Sequence, residues 1–243
     1  MLSNKQIKLI NSLHSKKGRN DSHLFLVEGE KVIKELVNST LKIQFIVLND
    51  SYELDSQFDT KNTIYFEPEN NIQKLSTLVS NNYGLAVVEM PNVSGEIDLT
   101  KISIVLDGIR DPGNLGTIIR ICDWYGIKHI IMSNDCTEFY NPKVISASMG
   151  SFLRVKHTYV DLVSYLNSLP HVLKIGALLD GENIHDVTIP TSGFIILGNE
   201  SNGISDSIKK LIDKAVTIPR FGEAESLNVG ISCAIILDNI SRK

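Results

Sequence analysis

The 243 residues are 42% hydrophobic and 21% charged, with 16 Gly and 7 Pro, proportions that exclude a disordered, collagen-like or membrane-embedded chain. The formal net charge of −4 excludes a globally basic nucleic-acid binder but leaves a local basic patch open. Cys122, Cys136 and Cys233 stand far apart without a C-x-x-C pair, which argues against a metal site and for buried thiols in a reducing, cytosolic compartment, and no run approaches the roughly 18 apolar residues of a membrane span.

Taken in chain order, Ile7, Leu9, Ile10 and Leu13 predict a helix that ends near Gly18, followed by a strand from Leu24 to Val27. Val32, Ile33, Leu36 and Val37 mark a second helix, and strands are expected at Ile43 to Leu48 and at Thr63 to Phe66. A helix signalled by Pro68 and Glu69, with Ile72, Leu75 and Leu78, leads to a strand from Gly84 to Val88. This alternation predicts a small α/β sandwich. Pro91-Asn92-Val93-Ser94-Gly95 clusters turn-forming residues between two strand patterns and is the expected linker, dividing the chain into domains 1–93 and 94–243.

The second block alternates more cleanly. A strand at Ile102 to Leu106 precedes a helix from about Asn114 to Tyr125, a strand at His129 to Met132 and a helical stretch around Pro142 to Met149. Beyond it come a helix at Leu162 to Leu169, strands at Leu173 to Leu179 and Phe194 to Leu197, a helix near Ile208 to Ile212, a strand at Ala215 to Ile218 and a last helix from Val229 to Ile240. Near-continuous apolar strands such as Phe194-Ile195-Ile196-Leu197 are what a parallel sheet covered on both faces demands, so this block is expected to be a doubly wound α/β domain.

Ligands bind outside the carboxyl ends of such strands, and three of the loops there are unusual. The first runs from Asp107 to Arg120 and holds Asn114 at the mouth of its helix as a candidate cap, with Gly116 and Arg120 neighbours on one helical face. The second is Leu197-Gly198-Asn199-Glu200-Ser201-Asn202-Gly203, and the third runs from Ile218-Pro219 to Ser226-Leu227-Asn228-Val229. Taken singly, each also reads as a turn, a cap or a solvated charge. The glycines Gly108, Gly113 and Gly116 do not make a G-x-G-x-x-G fingerprint, and no phosphate loop of the G-x-x-x-x-G-K-[ST] type occurs, which weakens a nucleotide-dependent oxidoreductase.

Together, in this order and spacing, the three loops resemble motifs 1, 2 and 3 of the SpoU (TrmH-like) RNA ribose 2′-O-methyltransferases of the SPOUT superfamily, over Ile102 to Ile240. Ser146-Ala147-Ser148-Met149-Gly150-Ser151 is also similar to a small-residue helix of these enzymes. Residues Leu13 to Arg19 followed by Phe25-Leu26-Val27-Glu28-Gly29 resemble the ribosomal-protein-like substrate-binding domain often fused to them. Residues 1–34 hold seven basic side chains against three acidic ones, a local positive excess suited to RNA phosphates, and Lys16, Lys17 and Arg19 are its expected RNA contacts.

The resemblance implies a deep trefoil knot in the C-terminal half and S-adenosylmethionine bound there, with Leu197, Gly198, Ile218, Leu227 and Asn228 as cofactor contacts. It implies a homodimer and an RNA substrate, ribosomal RNA favoured over transfer RNA by the fused domain. Arg120 matches the family's proposed activating residue. Asn114 and Glu200 are expected to fix Arg120 and the loops, and Ser226 and Asn228 to shape the junction of cofactor and ribose. A transfer-RNA methyltransferase and a non-catalytic RNA-binding or ribosome-assembly factor are the alternatives on the same fold.

Overall fold

A computed structural model of the chain describes residues 1–52, 58, 62–92 and 97–242. They form two packing units: Met1–Asn92 together with Glu138–Leu153, and Val93–Thr137 together with Arg154–Lys243. Val93, Ser94 and Gly95 of the expected linker lie outside the described residues. No helix among the described residues is long and apolar enough to cross a membrane.

In the first unit, α1 (Asn4–Ser12) starts with a capping box, in which Ser3 and Gln6 each accept from the other's backbone N–H. It is followed by α2 (Lys16–Ser22), β1 (Leu24–Glu28), α3 (Glu30–Val37), β2 (Ile43–Asn49), β3 (Ile64–Glu67), α4 (Glu69–Leu75) and β4 (Gly84–Glu89). The strands pair in the order β1-β4-β2-β3, with β2 and β3 parallel and the other pairs antiparallel. Ile10 and Leu13 from the α1 end and Ile72 and Leu75 of α4 pack on Leu26, Val47, Leu85 and Val87, an apolar face that alternation along the strands supplies.

Helix α2 corrects the expectation that the first helix runs on to Gly18. Ser15 caps a separate helix by accepting from Gly18 N. A Cβ at position 18 would lie 2.0 Å from the Ser12 carbonyl oxygen, so glycine permits the close turn from α1 into α2.

The stretch from Glu138 to Leu153 contains α6 (Pro142–Ala147) and a 3-10 turn, Ser151–Leu153. Although it falls within the second block of sequence, it packs in the first unit. Phe25 lies 4.5 Å from the Tyr140 ring and edge-on to Phe152 at 5.9 Å.

The second unit contains β5 (Ile102–Asp107), α5 (Pro112–Trp124), β6 (His129–Ser133), β7 (Lys156–Val160), α7 (Leu162–Asn167), β8 (Lys174–Asn183), β9 (Gly193–Gly198), α8 (Asp206–Lys209), β10 (Lys214–Thr217) and α9 (Val229–Ser241). Its six strands are all parallel, in the order β10-β8-β9-β5-β6-β7. Val105, Ile131 and Ile196 share one face under Leu162, Leu166 and Ile208. Ile104, Ile130 and Ile195 share the other and are equally buried. Strand β7 is an addition to the sequence reading.

From β5 the chain lays β6 and β7 to one side and then returns to build β8, β9 and β10 on the other. The direction reverses between β5 and β9, where Asp107 pairs with Gly198. In an open parallel sheet this switch point, at the carboxyl ends of the strands, is where a crevice for ligands opens.

Candidate active site at the sheet switch point

The loops after β5 and β9 leave the switch point side by side and are bonded to each other. Asn199 Nδ2 donates to the Gly108 carbonyl at 2.7 Å, and Ser205 N donates to Asp107 Oδ2 at 2.7 Å. Asn199 also shapes its own turn: its Oδ1 accepts from Ser201 N and Asn202 N, and its backbone bonds Gly203 in both directions. A Cβ on Gly198 would stand 2.2 Å from the backbone of Gly203 and Ile204. Only glycine fits there, so the strand can end directly beneath its own returning loop.

Helix α5 begins at Asp111, whose side chain accepts from Asn114 N at 2.8 Å. Asp111 is therefore the cap that the sequence reading assigned to Asn114. Freed from capping, the Asn114 amide bonds across to the other loops. Its Nδ2 donates to Glu200 Oε1 at 2.6 Å, and its Oδ1 accepts from Asn228 Nδ2 at 2.8 Å. Asn228 Oδ1 in turn caps α9, accepting from Gly230 N at 2.9 Å and Ile231 N at 3.4 Å. Three residues separated by 86 and 114 positions in sequence thus form one relay, Glu200–Asn114–Asn228. Ser226 does not cap α9.

Helices α5 and α9 lie against each other through Gly230, where a Cβ would come within 3.0 Å of Thr117 Cγ2. Further along the pair, Cys122 and Cys233 are both free and fully buried. Desolvation, with Cys233 beside it, pushes the Cys122 thiol well above its ordinary range, so it stays protonated and inert.

Arg120 is exposed on α5 and makes no hydrogen bond or ion pair among the described residues. This corrects the expectation that Asn114 and Glu200 fix its guanidinium: their bonding capacity goes to each other and to Asn228. Ser226 is exposed.

Beside the relay lies a cleft of about 740 Å³, lined by Leu197 and Gly198 from the end of β9, Ile218 and Pro219 after β10, and Leu227 and Val229 at the start of α9. The expected cofactor contacts Leu197, Gly198, Ile218 and Leu227 thus share one cleft, and Asn228 lies between two residues of its lining. The volume is within the roughly 300–1,000 Å³ of small-molecule sites. Apolar walls suit an adenine ring, and the backbone N–H and C=O groups of three turns can read its edge.

Among the expected RNA contacts, Lys16 and Lys17 are exposed on α2, but Arg19 is turned inward. It is 2% exposed, with Nε donating to Glu138 Oε1 at 2.9 Å, Nη2 to Glu138 Oε2 at 2.6 Å and Nη1 to the Leu13 carbonyl at 2.7 Å. The guanidinium fork is spent inside the first unit, holding the Glu138–Leu153 stretch. Asn199, Asp111 and Asp107 are the site residues that the sequence reading did not single out. The signal for them was present: an Asx residue directly after a strand or directly before a helix-starting Pro.

A model of the SpoU rRNA Methylase family matches residues 101–238, and a model of the MRM3-like substrate binding domain matches residues 4–82. The chain is 27% identical, over 96% of its length and 95% of the relative's, to the 23S rRNA (guanosine(2553)-2′-O)-methyltransferase RlmP of Bacillus subtilis. It is 32% identical to a solved structure assigned to the TrmH family from Porphyromonas gingivalis, with a TM-score of 0.87 and full coverage of both chains. At 22% identity it shares the fold of AviRb from Streptomyces viridochromogenes, solved in complex with AdoMet, with a TM-score of 0.85 over 98% of each chain.

Proposed function

Because the chain belongs to the SpoU rRNA Methylase family, we propose that the switch-point site transfers a methyl group from S-adenosylmethionine to a ribose 2′-hydroxyl of large-subunit ribosomal RNA. The observation that carries the reading is the Glu200–Asn114–Asn228 relay. It binds all three motif loops at the rim of a cleft of cofactor size, and a turn or a cap alone would not require it.

S-adenosylmethionine, when bound, supplies an activated methyl group on a sulfonium; the acceptor oxygen must lose a proton as it takes that methyl. Leu197, Gly198, Ile218 and Leu227 would hold the cofactor, with Asn228 at the edge of the cleft. Asn114, held at both ends of its amide, and Ser226, on the loop before α9, are assigned to orient the ribose. Arg120 is not assigned the role of base, because a guanidinium presents only donors and no acceptor atom. Its role is to bind the reacting nucleotide and stabilise the developing oxyanion while another group takes the proton.

The division of labour proposed is an RNA-recognising domain over residues 1–93 and a methyl-transfer domain over residues 94–243. Lys16 and Lys17 are assigned to the RNA backbone. A knotted path of the C-terminal half belongs to the same proposal. Assembly as a homodimer is supported by the exposed apolar side chains Trp124 on α5 and Ile231 on α9, and a cytoplasmic location is part of the same proposal.

The test is to map ribose methylations in total RNA with and without the gene, and to add the purified protein back to unmodified 23S rRNA with S-adenosylmethionine. One ribose methylation lost on deletion and restored by the protein is the expected result. A transfer-RNA position lost instead would transfer the reading to the other substrate class.

A further inference from the structure

The loop between β5 and α5 is fixed from several sides. Gly108 N donates to Ser133 Oγ at 2.9 Å, Ile109 N to Cys136 Sγ at 3.2 Å, and the Ile109 carbonyl accepts from Thr137 N at 2.8 Å. Its carboxylates are engaged by backbone: Asp107 accepts from Ser205 N, and Asp111 caps α5. The charge that this rigid loop projects outward is Arg110, whose side chain is 70% exposed and which stands two residues before Pro112, the first residue of α5.

Arg110 is held by a weak bond. Its Nη2 lies 3.5 Å from Asp135 Oδ2, and the carboxylate is itself 56% exposed. Such an exposed surface pair contributes little to stability, so it can be exchanged. Asp135 is steadied by a second bond, Oδ1 accepting from the Ser133 hydroxyl at 2.6 Å. The chain Gly108 N–H to Ser133 to Asp135 therefore ties the guanidinium's resting place to the backbone of the site loop.

We propose that Arg110 is an RNA-binding residue of the methyl-transfer site, taking a backbone phosphate next to the reacting ribose, and that Asp135 holds its guanidinium ready until that phosphate displaces it. A ribose whose 2′-hydroxyl is presented at the switch point brings a phosphate on either side of it. A planar fork on a rigid loop matches a phosphate's paired oxygens, and little ordering remains to be done on binding. The inference rests on the proposed function, of which it names an additional substrate contact.

The test measures binding and methylation of an unmodified 23S rRNA transcript by the full chain over a range of salt. Arg110→Ala should raise Kd and KM for the RNA about tenfold and lower the salt slope by about 0.7–0.9, the release of one phosphate contact. Affinity for S-adenosylhomocysteine should not change. Arg110→Lys should restore the slope but not the full affinity. Asp135→Asn, which still accepts from Ser133, should tighten RNA binding, and the gain should vanish when combined with Arg110→Ala.

An unchanged salt slope in Arg110→Ala would overturn the proposal. So would Asp135→Asn weakening RNA as much as Arg110→Ala does, because the pair would then be a brace for the loop. Wild-type methylation of the same transcript is read in parallel. If it fails while the Arg110 effects on binding appear, the proposed activity falls and the phosphate contact stands.

Discussion

Charge has to be placed, and Arg120 and Arg19, the two arginines singled out as site residues in the sequence, are placed in opposite ways. Arg120 is exposed and unbonded among the described residues, so its loss leaves no orphaned partner. Arg120→Ala should therefore fold normally and bind S-adenosylhomocysteine with unchanged affinity, while turnover falls on the order of 10²-fold or more, as when a charged stabiliser of the transition state is removed. Near-normal turnover on 23S rRNA would remove Arg120 from the reaction. Arg19 is the reverse case. Removing it strands Glu138, itself only 13% exposed, and breaking a buried pair costs about 3–5 kcal/mol. Arg19→Ala should show this as a lowered urea midpoint, whereas the Lys16→Ala, Lys17→Ala double variant should keep its midpoint and flatten the salt dependence of RNA binding. Equal midpoints for the two would contradict the burial argument. The candidate site was legible in the sequence because Asn114, Glu200 and Asn228 each follow a strand or start a helix, where local signals are strong. The fate of Arg19 was not, since its carboxylate lies 119 positions away and nothing near Lys16-Lys17-Gly18-Arg19 distinguishes a buried arginine from a solvated one.

At the scale of elements, the same logic explains which strands and helices could be read. The buried parallel strands β5, β6 and β9 are continuous apolar runs, and α1, α3 and α4 carry an apolar stripe. Strand β7 reads Lys156-His157-Thr158-Tyr159-Val160 and, among the described residues, lies at the edge of the sheet paired with β6 alone, so no apolar run marks it. Helix α2 has little apolar content and owes its place to the Ser15 cap and the Arg19–Glu138 pair. Strand β7 also carries a measurable property. His157 is buried beside His129, and desolvation first, then the charge of His129, pushes its pKa down to about 3 from an ordinary 6.5. His129, bonded to Thr158 Oγ1, is shifted down as well, by desolvation first and then by the charge of Lys156. The folded state therefore binds fewer protons than the unfolded chain in this window. Stability is full above about pH 6.5 and is lost as pH falls toward about 3, with a slope near 1.4 kcal/mol per pH unit for His157. Urea unfolding at pH 7, 6, 5 and 4 should show the decline, and His157→Gln should reduce its slope by about one proton. An identical slope in the variant would mean that His157 is not held neutral.

For the whole molecule, the reading joins two units whose sequence boundaries are not their packing boundaries. The first block of sequence folds with a stretch from the second, Glu138–Leu153. Chain order could not disclose this, because Phe25, Tyr140 and Phe152 meet only through tertiary packing. The six-stranded parallel sheet, by contrast, could be anticipated from the alternation of elements, and its switch point follows from strand order alone. The central claim is that the site methylates a ribose oxygen, not a base, and it is tested most directly by replacing the target nucleotide of the RNA with its 2′-deoxy analogue. The account predicts that methyl transfer at that nucleotide is abolished while binding persists, because most of the affinity comes from phosphates and RNA shape elsewhere. Transfer of a methyl group to the deoxy nucleotide would place the acceptor on the base and contradict the account.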